Sequence, residues 1–515
     1  MQMQAMILAL AGAIGLCADT CLASEDLDKA WLTSNNEKSL VSDIEAVMAE
    51  TDVPGAQVAI VLPNGGTWHR SFGVRDIASR GSMRDDTLVQ AGSVTKVFTA
   101  SLLADLVANG DLRWSDTIAE HLPGILMRAD VAAITIDALA THTSGLPGNP
   151  PNRVDIDGIM QPYSVDQLYA ALSDPSFTLE AHGRNYSNWG FAILGHIVEK
   201  VTGESFEEVL KARIFDPLEM KDSSIALSDK DEQRLAVHYW PEDAPHVPRP
   251  RWVFGEVAAF GGITSTASDL AKFLSYQIRP DGRPDILDPA EALSLRDIRV
   301  LLPNWNAGGG RSWLVVRDRG DGSITIEHSG EVDGHSSYIG FSPATGIGVA
   351  VTANLGGPSA RRIALPVLAR VNGLARARQA TDRDDALLLA RKRQWIDAEA
   401  ALQKVTETSP DDGEAWHELG VARYEMRNLQ GAMSALEQAK RTAEEPAASI
   451  SLLGRIAASQ NRVDDAFVLL DRAMQLDPAA LDLDIPELWV LHADERWTKL
   501  VAMQKRSRRR SSPKK

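Results

Sequence analysis

Cysteine is nearly missing from this chain. Its 515 residues include two, Cys17 and Cys21, both within the first 23 positions. The body of the protein therefore has no disulfide framework, no cysteine nucleophile and no thiolate metal site. Positive charge is also scarce. Lys and Arg number 53 against 70 Asp and Glu, a formal net charge of −17. A body of that sign repels a phosphate backbone, which excludes general nucleic-acid binding. The exception is the tail Lys505 to Lys515 with its Arg508-Arg509-Arg510 run. Such a block reads first as a solvated end, with contact to an anionic membrane surface as the minority reading. Past the first 23 residues no apolar run is long enough to cross a bilayer. The 11 histidines are scattered and none lies in a His-Glu-x-x-His run, so no metal is expected. Glycine-rich phosphate loops of either usual form are absent, so no nucleotide and no other cofactor is expected.

The N-terminus carries the apolar run Ala5 to Leu16, followed by Cys21-Leu22-Ala23. Small residues at the third-last and last of these positions fit export cleavage after Ala23, although the usual leading Lys or Arg is lacking. The expectation is a signal peptide over 1–23, a periplasmic or secreted protein, and a mature chain with no cysteine. At 44 % hydrophobic and 24 % charged, the rest is long enough for two or more cores.

Strand patterns stand at both ends of the first part of the chain. Gly55 to Leu62, the turn Asn64-Gly65-Gly66 and Thr67 to Val74 predict a hairpin. Strand character returns at Trp313 to Arg317, Ile324 to His328, Tyr338 to Phe341 and Ile347 to Val351, with largely helical sequence between. The expected fold class is α+β: an antiparallel sheet built from both ends of the domain, with an inserted helical lobe.

The chemistry centres on Ala91-Gly92-Ser93-Val94-Thr95-Lys96. Apolar residues recur at helical spacing from Val94 to Val107, and Asn109-Gly110 supplies a stop. Ser93 then falls in the first helical turn, with Lys96 one turn on along the same face. An unprotonated lysine there takes the proton of a hydroxyl that is otherwise a poor nucleophile. The helix N-terminus also aims unpaired N–H groups at an anion forming beside Ser93. Taken alone the pattern is weak; it recurs at Ser511 to Lys514 and at Ser512 to Lys515, where no packed site is expected.

Two further stretches keep it company. Tyr186-Ser187-Asn188 opens a predicted helix that ends at Gly203. A phenol beside an ammonium is held toward its ionised form, so Tyr186 is a candidate proton relay between Ser93, Lys96 and a leaving group. Asn188 has an amide able to donate to a substrate carbonyl and to accept from Lys96. His328-Ser329-Gly330-Glu331 closes a predicted strand; Gly330 lets the backbone approach a ligand. The amide of Glu331 can then face the amide of Ser93 as a two-donor oxyanion hole, of which one donor is typically worth about 3–4 kcal/mol. His328 is expected on the wall facing Tyr186.

In that order the three stretches resemble the motifs of the serine β-lactamase and penicillin-binding superfamily, with the spacing of its class C-like branch of DD-carboxypeptidases, D-aminopeptidases and esterases. Thr141 to Pro147, Gly261 to Thr266 and Gly334 to Tyr338 resemble its connecting segments, so the match runs from about Val53 to Leu355. By that resemblance Ser93 forms an acyl-enzyme, Lys96 and Tyr186 share acid–base work, and Asn188, His328 and Gly330 bind substrate. The third motif usually begins with lysine. Histidine, mostly neutral near neutral pH, is a weaker partner for the carboxylate of a β-lactam or a D-Ala-D-Ala peptide, and Glu331 adds negative charge nearby.

Beyond Arg370 the pattern becomes continuous helix with a period of thirty-four. Leu419-Gly420 recurs as Leu453-Gly454, and Ala432, Leu436 and Ala439 recur as Ala466, Leu470 and Ala473. Ala398, Leu402 and Val405 hold the same places one period earlier, with Trp416 and Pro478 in register. This region resembles about two and a half tetratricopeptide units, which imply either a partner-binding surface or a packing appendage. The expected domains are thus 1–23 export signal, 24–375 hydrolase-like, 380–500 helical repeats and 505–515 basic tail. The function expected is a serine hydrolase acting through an acyl-serine on a D-amino-acid peptide or an ester. The alternatives are a β-lactamase proper, or a non-catalytic peptidoglycan sensor or scaffold that binds a protein through its repeats.

Overall fold

A computed structural model describes residues 34–511, apart from 64, 157–158, 181–182, 242–245, 284, 303–305 and 319–321. The expected export signal, both cysteines and the end of the basic tail lie outside the described residues. The chain divides into two compact units, Met1–Gly373 and Leu374–Lys515.

The first unit is built on a nine-stranded antiparallel sheet. Its strands are β1 Gly55–Val61, β2 Thr67–Asp76, β3 Gly81–Ser82, β4 Val300–Leu301, β5 Ala307–Gly309, β6 Leu314–Arg317, β7 Ile324–Val332, β8 His335–Ser342 and β9 Ile347–Ala353. The order is β3-β2-β1-β9-β8-β7-β6-β5-β4, so the N-terminal hairpin joins the C-terminal meander at β1–β9, with Ala56 opposite Ala353 and Val61 opposite Gly348. Every residue of β1, β8 and β9 is buried, which requires cover on both faces.

Alternation along the strands assigns the two covers. Ala59, Val61, Ile326, Ile339, Phe341 and Ala350 point into one large core shared with the helical lobe. Helices α1 (Ser34–Glu50), α2 (Thr95–Ala108), α3 (Asn188–Thr202), α4 (Ala267–Ile278) and α5 (Ser359–Arg391) surround the sheet. Phe98 of α2 stacks on Phe273 of α4 at 3.8 Å between ring centroids, inside that core. Glu327 and Tyr338 point the other way. There the Tyr338 hydroxyl donates to Glu327 at 2.9 Å, Arg361 of α5 pairs with the same carboxylate at 2.8 Å, and Arg370 of α5 holds Asp43 of α1.

The strand carrying the third motif is longer than its composition predicts. The expected strand stops at His328, because Ser-Gly-Glu is poor strand sequence. The pairing nevertheless continues, with Gly330 opposite Ser337 and Val332 opposite His335, and the hairpin turns only at Asp333-Gly334. The motif therefore lies within β7 and not at its end.

The second unit is a series of helices with a strict spacing: α6 (Trp395–Thr408), α7 (Gly413–Glu425), α8 (Leu429–Thr442), α9 (Ala447–Ser459) and α10 (Val463–Leu476), then α11 (Glu495–Ser511). The bounds of α6, α8 and α10 recur every thirty-four residues, as do those of α7 and α9. Arg393, Arg427 and Asn461, each preceding a helix of the first set, all have positive φ (58°, 64° and 59°). The packing repeats as well. A side chain at Gly420 would meet Leu436 at 2.6 Å, and one at Gly454 would meet Leu470 at 2.9 Å. Gly420→Ala therefore forces Leu436 out of place, and we expect a loss of about 1–3 kcal/mol in stability, read as a lowered midpoint of chemical unfolding.

Candidate active site

Strand β6 ends its pairing with Leu314 opposite Glu327, so β7 runs on from His328 with its edge on that side left by β6. The turn before α2 lies against that edge. Gly330 and Gly92 make the approach possible. A Cβ on Gly330 would fall on the carbonyl oxygen of Ala91 and lie 2.9 Å from the amide nitrogen of Val94. One on Gly92, whose φ is +52°, would lie 2.5 Å from the amide nitrogen of Glu331. From the next strand the Ser337 hydroxyl donates to the Ala91 carbonyl at 2.5 Å. The amide of Glu331 is thus seated beside the residue that precedes Ser93.

Helix α2 is apolar almost all round and passes through the core. Its polar side chains are consequently each engaged: Thr99 donates to the Ala259 carbonyl at 2.6 Å, and Thr95 accepts from the Ile263 amide at 3.1 Å. Lys96 is fully buried, at 0 % exposure. Its Nζ lies 2.9 Å from Ser93 Oγ and 2.7 Å from the Phe260 carbonyl oxygen, and it faces the rings of Tyr186, Phe260 and Phe191 at 4.8, 5.6 and 5.8 Å. No carboxylate pairs with it among the described residues. Burial, and after it the Arg184 guanidinium, hold its pKa well below the ordinary lysine value. The amine is therefore unprotonated near neutrality, with a lone pair for the Ser93 hydroxyl and an N–H for Phe260.

Tyr186 is positioned by the loop 142–149. The Asn185 amide donates to the His142 carbonyl at 2.8 Å, the Ser187 amide to His142 Nδ1 at 3.1 Å, the Ser187 hydroxyl to the Pro147 carbonyl at 2.7 Å, and the Asn188 amide to the Gly148 carbonyl at 2.8 Å. Ser187 also caps α3 by accepting from the Gly190 amide. Tyr186 and Ser93 share a side-chain hydrogen bond. Here two expectations are corrected. Tyr186 is not drawn toward phenolate: burial pushes its pKa up to about 12, because the neighbouring amine is neutral and offers little positive field. Asn188 does not accept from Lys96. Its amide donates to Asn149 Oδ1 at 3.1 Å, since the loop that catches its backbone also takes its side chain.

His328, 4 % exposed, points its Nδ1 at the Ser329 carbonyl oxygen, 2.7 Å away. A carbonyl only accepts, so Nδ1 bears the proton and Nε2 a lone pair. Burial, then the positive field at Lys96 and Arg184, lower its pKa to about 3, which makes it neutral across the working range.

Sequence reasoning missed Arg184 and His142. Arg184 Cζ lies 5.6 Å from the Tyr186 ring centroid, and the His142 ring lies 4.4 Å from it. His142 is fully buried, and its Nε2 has no partner among the described residues. The missed signal is the Arg184 charge two positions before Tyr186, in a lobe whose interior is otherwise apolar. Among the described residues no group of three or more His, Cys, Asp or Glu could hold a metal ion.

The family model for beta-lactamase matches residues 40–372. The chain is 30 % identical over 335 residues to penicillin-binding protein 4 of Amycolatopsis lactamdurans, covering 61 % of this chain and 84 % of that protein. It is 25 % identical over 328 residues to protein flp of Staphylococcus aureus, covering 63 % of this chain and 64 % of that one, so less than two thirds of that relative is spanned. Among solved structures, an octameric penicillin-binding protein homologue from Pyrococcus abyssi superposes with a TM-score of 0.58 at 28 % identity, over 66 % of this chain and 78 % of that one. A class C beta lactamase from Rhodobacter sphaeroides gives 0.55 at 23 % identity, over 64 % and 98 %, a likeness of fold alone.

Two outcomes are expected from this geometry. Gly330→Ala drives a methyl group into the Ala91 carbonyl and separates β7 from the Ser93 turn; acylation of Ser93 should fall at least a hundredfold, measured by single-turnover kinetics. Because the neutral amine is the form that accepts a proton, kcat/KM should rise with pH through the lowered Lys96 pKa, plateau across neutrality, and show no rise near pH 10.5.

Proposed function

The chain belongs to the beta-lactamase family, whose members are serine acyl-transferases and hydrolases of the beta-lactamase and penicillin-binding type, and from that premise we propose that Ser93 forms an acyl-enzyme with a D-amino-acid peptide or an ester. The observation that carries the reading is the buried, unpaired Lys96 amine 2.9 Å from Ser93 Oγ.

In this reading the Ser93 hydroxyl gives its proton to the neutral Lys96 amine as Oγ bonds to the substrate carbonyl carbon. The carbonyl electron pair moves onto oxygen, where the amides of Ser93 and Glu331 receive it. The pair then returns, the bond to the leaving nitrogen or oxygen breaks, and the neutral Tyr186 phenol gives up its proton to that atom. The Lys96 ammonium restores the phenol. Water repeats the sequence in reverse and frees the acid and Ser93. A phenol with a pKa near 12 is a donor and not a base, so Tyr186 works on the leaving-group side. His328, neutral and with Nε2 as an acceptor, suits a substrate N–H or O–H better than a carboxylate, which supports a peptidase or esterase above a β-lactamase proper.

The same reading includes export, supported by the sequence of residues 1–23; among the described residues no helix is long and apolar enough to cross a membrane. It also includes a protein-binding role for the thirty-four-residue helical repeats, of tetratricopeptide type.

The test is labelling with a fluorophosphonate probe followed by peptide mapping. Wild type should carry the label on Ser93, Ser93→Ala should carry none, and Lys96→Ala should be labelled several orders of magnitude more slowly. Equal labelling of wild type and Ser93→Ala refutes the nucleophile. Fast deacylation after nitrocefin would favour the β-lactamase reading instead.

A further inference from the structure

We propose that Arg184 binds a carboxylate on the leaving-group side of the substrate, which makes the preferred substrates of this site anionic. The inference deepens the acyl-serine reading and rests on it.

Arg184 lies outside all three motifs, yet its side chain enters the site. The guanidinium carbon is 5.6 Å from the centroid of the Tyr186 ring, and a Cβ on Gly309 of β5 would stand 3.1 Å from its Nε. The side chain is thus threaded between the lobe and the sheet, beside the residue read as the donor to the leaving group. Its Nε is buried and has no partner among the described residues. No carboxylate acts on it either: the one charge that bears on it is the phenol oxygen of Tyr186.

Other partly buried arginines here are not left so. Arg311 reaches Asp137 at 2.6 Å, Arg361 reaches Glu327 at 2.8 Å, and Arg423 reaches Glu399 at 3.0 Å. A half-buried guanidinium without a counter-ion is unfavourable unless something arrives to answer it. A carboxylate matches the planar fork of donors, and charge-assisted pairs of this kind are the strong ones.

The neighbours show why the task falls to Arg184. His328 stands where the superfamily resemblance leads one to expect a lysine, and it is neutral with its one N–H spent on the Ser329 carbonyl. Lys96 is neutral as well and committed to Ser93 and Phe260. The field of Arg184 already reaches Lys96, His142 and His328, which places the cation within the same site and not on a remote surface. Its position against Tyr186 assigns the anion to the leaving group and not to the acyl group.

The experiment compares substrates that differ by one charge on the leaving group. One pair is 3-carboxyphenyl acetate and 3-carbamoylphenyl acetate; the other is N-acetyl-D-Ala-D-Ala and its C-terminal amide. Each kcat/KM for the esters is normalised to the hydroxide-catalysed rate. Wild type should favour the carboxylate of at least one pair about tenfold or more, and Arg184→Gln should reduce that preference by about ten- to a hundredfold. Arg184→Lys, which keeps the charge without the fork, should keep part of it and serves if the glutamine variant fails to fold. A wild-type preference at or below one in both pairs, or an unchanged preference in both variants, overturns the anchor. If Ser93 is acylated in that case, the hydrolase reading survives; if Ser93 is never acylated, both fall.

Discussion

A buried amine with no acid to answer it is the constraint around which the first unit is arranged. Lys96 is surrounded by aromatic rings and one main-chain carbonyl, and removing a charged ammonium from water to such a place is unfavourable by several kcal/mol. The side chain meets that constraint by giving up its proton, which also makes it a base. Helix α2 has to be apolar on every face for this to hold, and so it passes through the interior instead of lying on it. The base is therefore a product of the core and not an addition to it.

The second requirement is that strand and helix meet at main-chain distance. Gly92 and Gly330 interlock the Ser93 turn with β7, each leaving room for the other's backbone. The contact depends on β7 continuing past its last rung with β6, because a strand paired on both edges could not admit the turn. The short outer strands β4 to β6 thereby matter to the site by where they stop.

Much of this arrangement could be read from residue order. Helical periodicity after Ser93, the stop at Asn109-Gly110 and the cap at Ser187 are local signals, and local signals survive folding. The two-ended sheet followed from strand patterns flanking a helical stretch. What escaped was non-local. The continuation of β7 through Ser329-Gly330-Glu331 is set by its partner β8, against the propensity of its own residues. The state of Tyr186 depends on whether Lys96 is charged, which depends on burial that no spacing reveals. Asn188 turned to Asn149 because of a loop some forty positions earlier. Arg184 looked like an ordinary loop arginine until the strand bearing Gly309 was placed against it.

The β1–β9 seam has a consequence for the order in which this molecule becomes dangerous to its surroundings. The first and last strands of the sheet are neighbours at its middle, with Gln57 opposite Thr352 across nearly the whole length of the unit. Pairings between such distant segments form late and slowly, after the loops between them have been gathered in. A growing or threaded chain thus holds Ser93 and Lys96 in hand long before it holds the sheet edge that faces them. The reactive hydroxyl stays inert during synthesis and transit, and becomes competent only once the closing strand has docked.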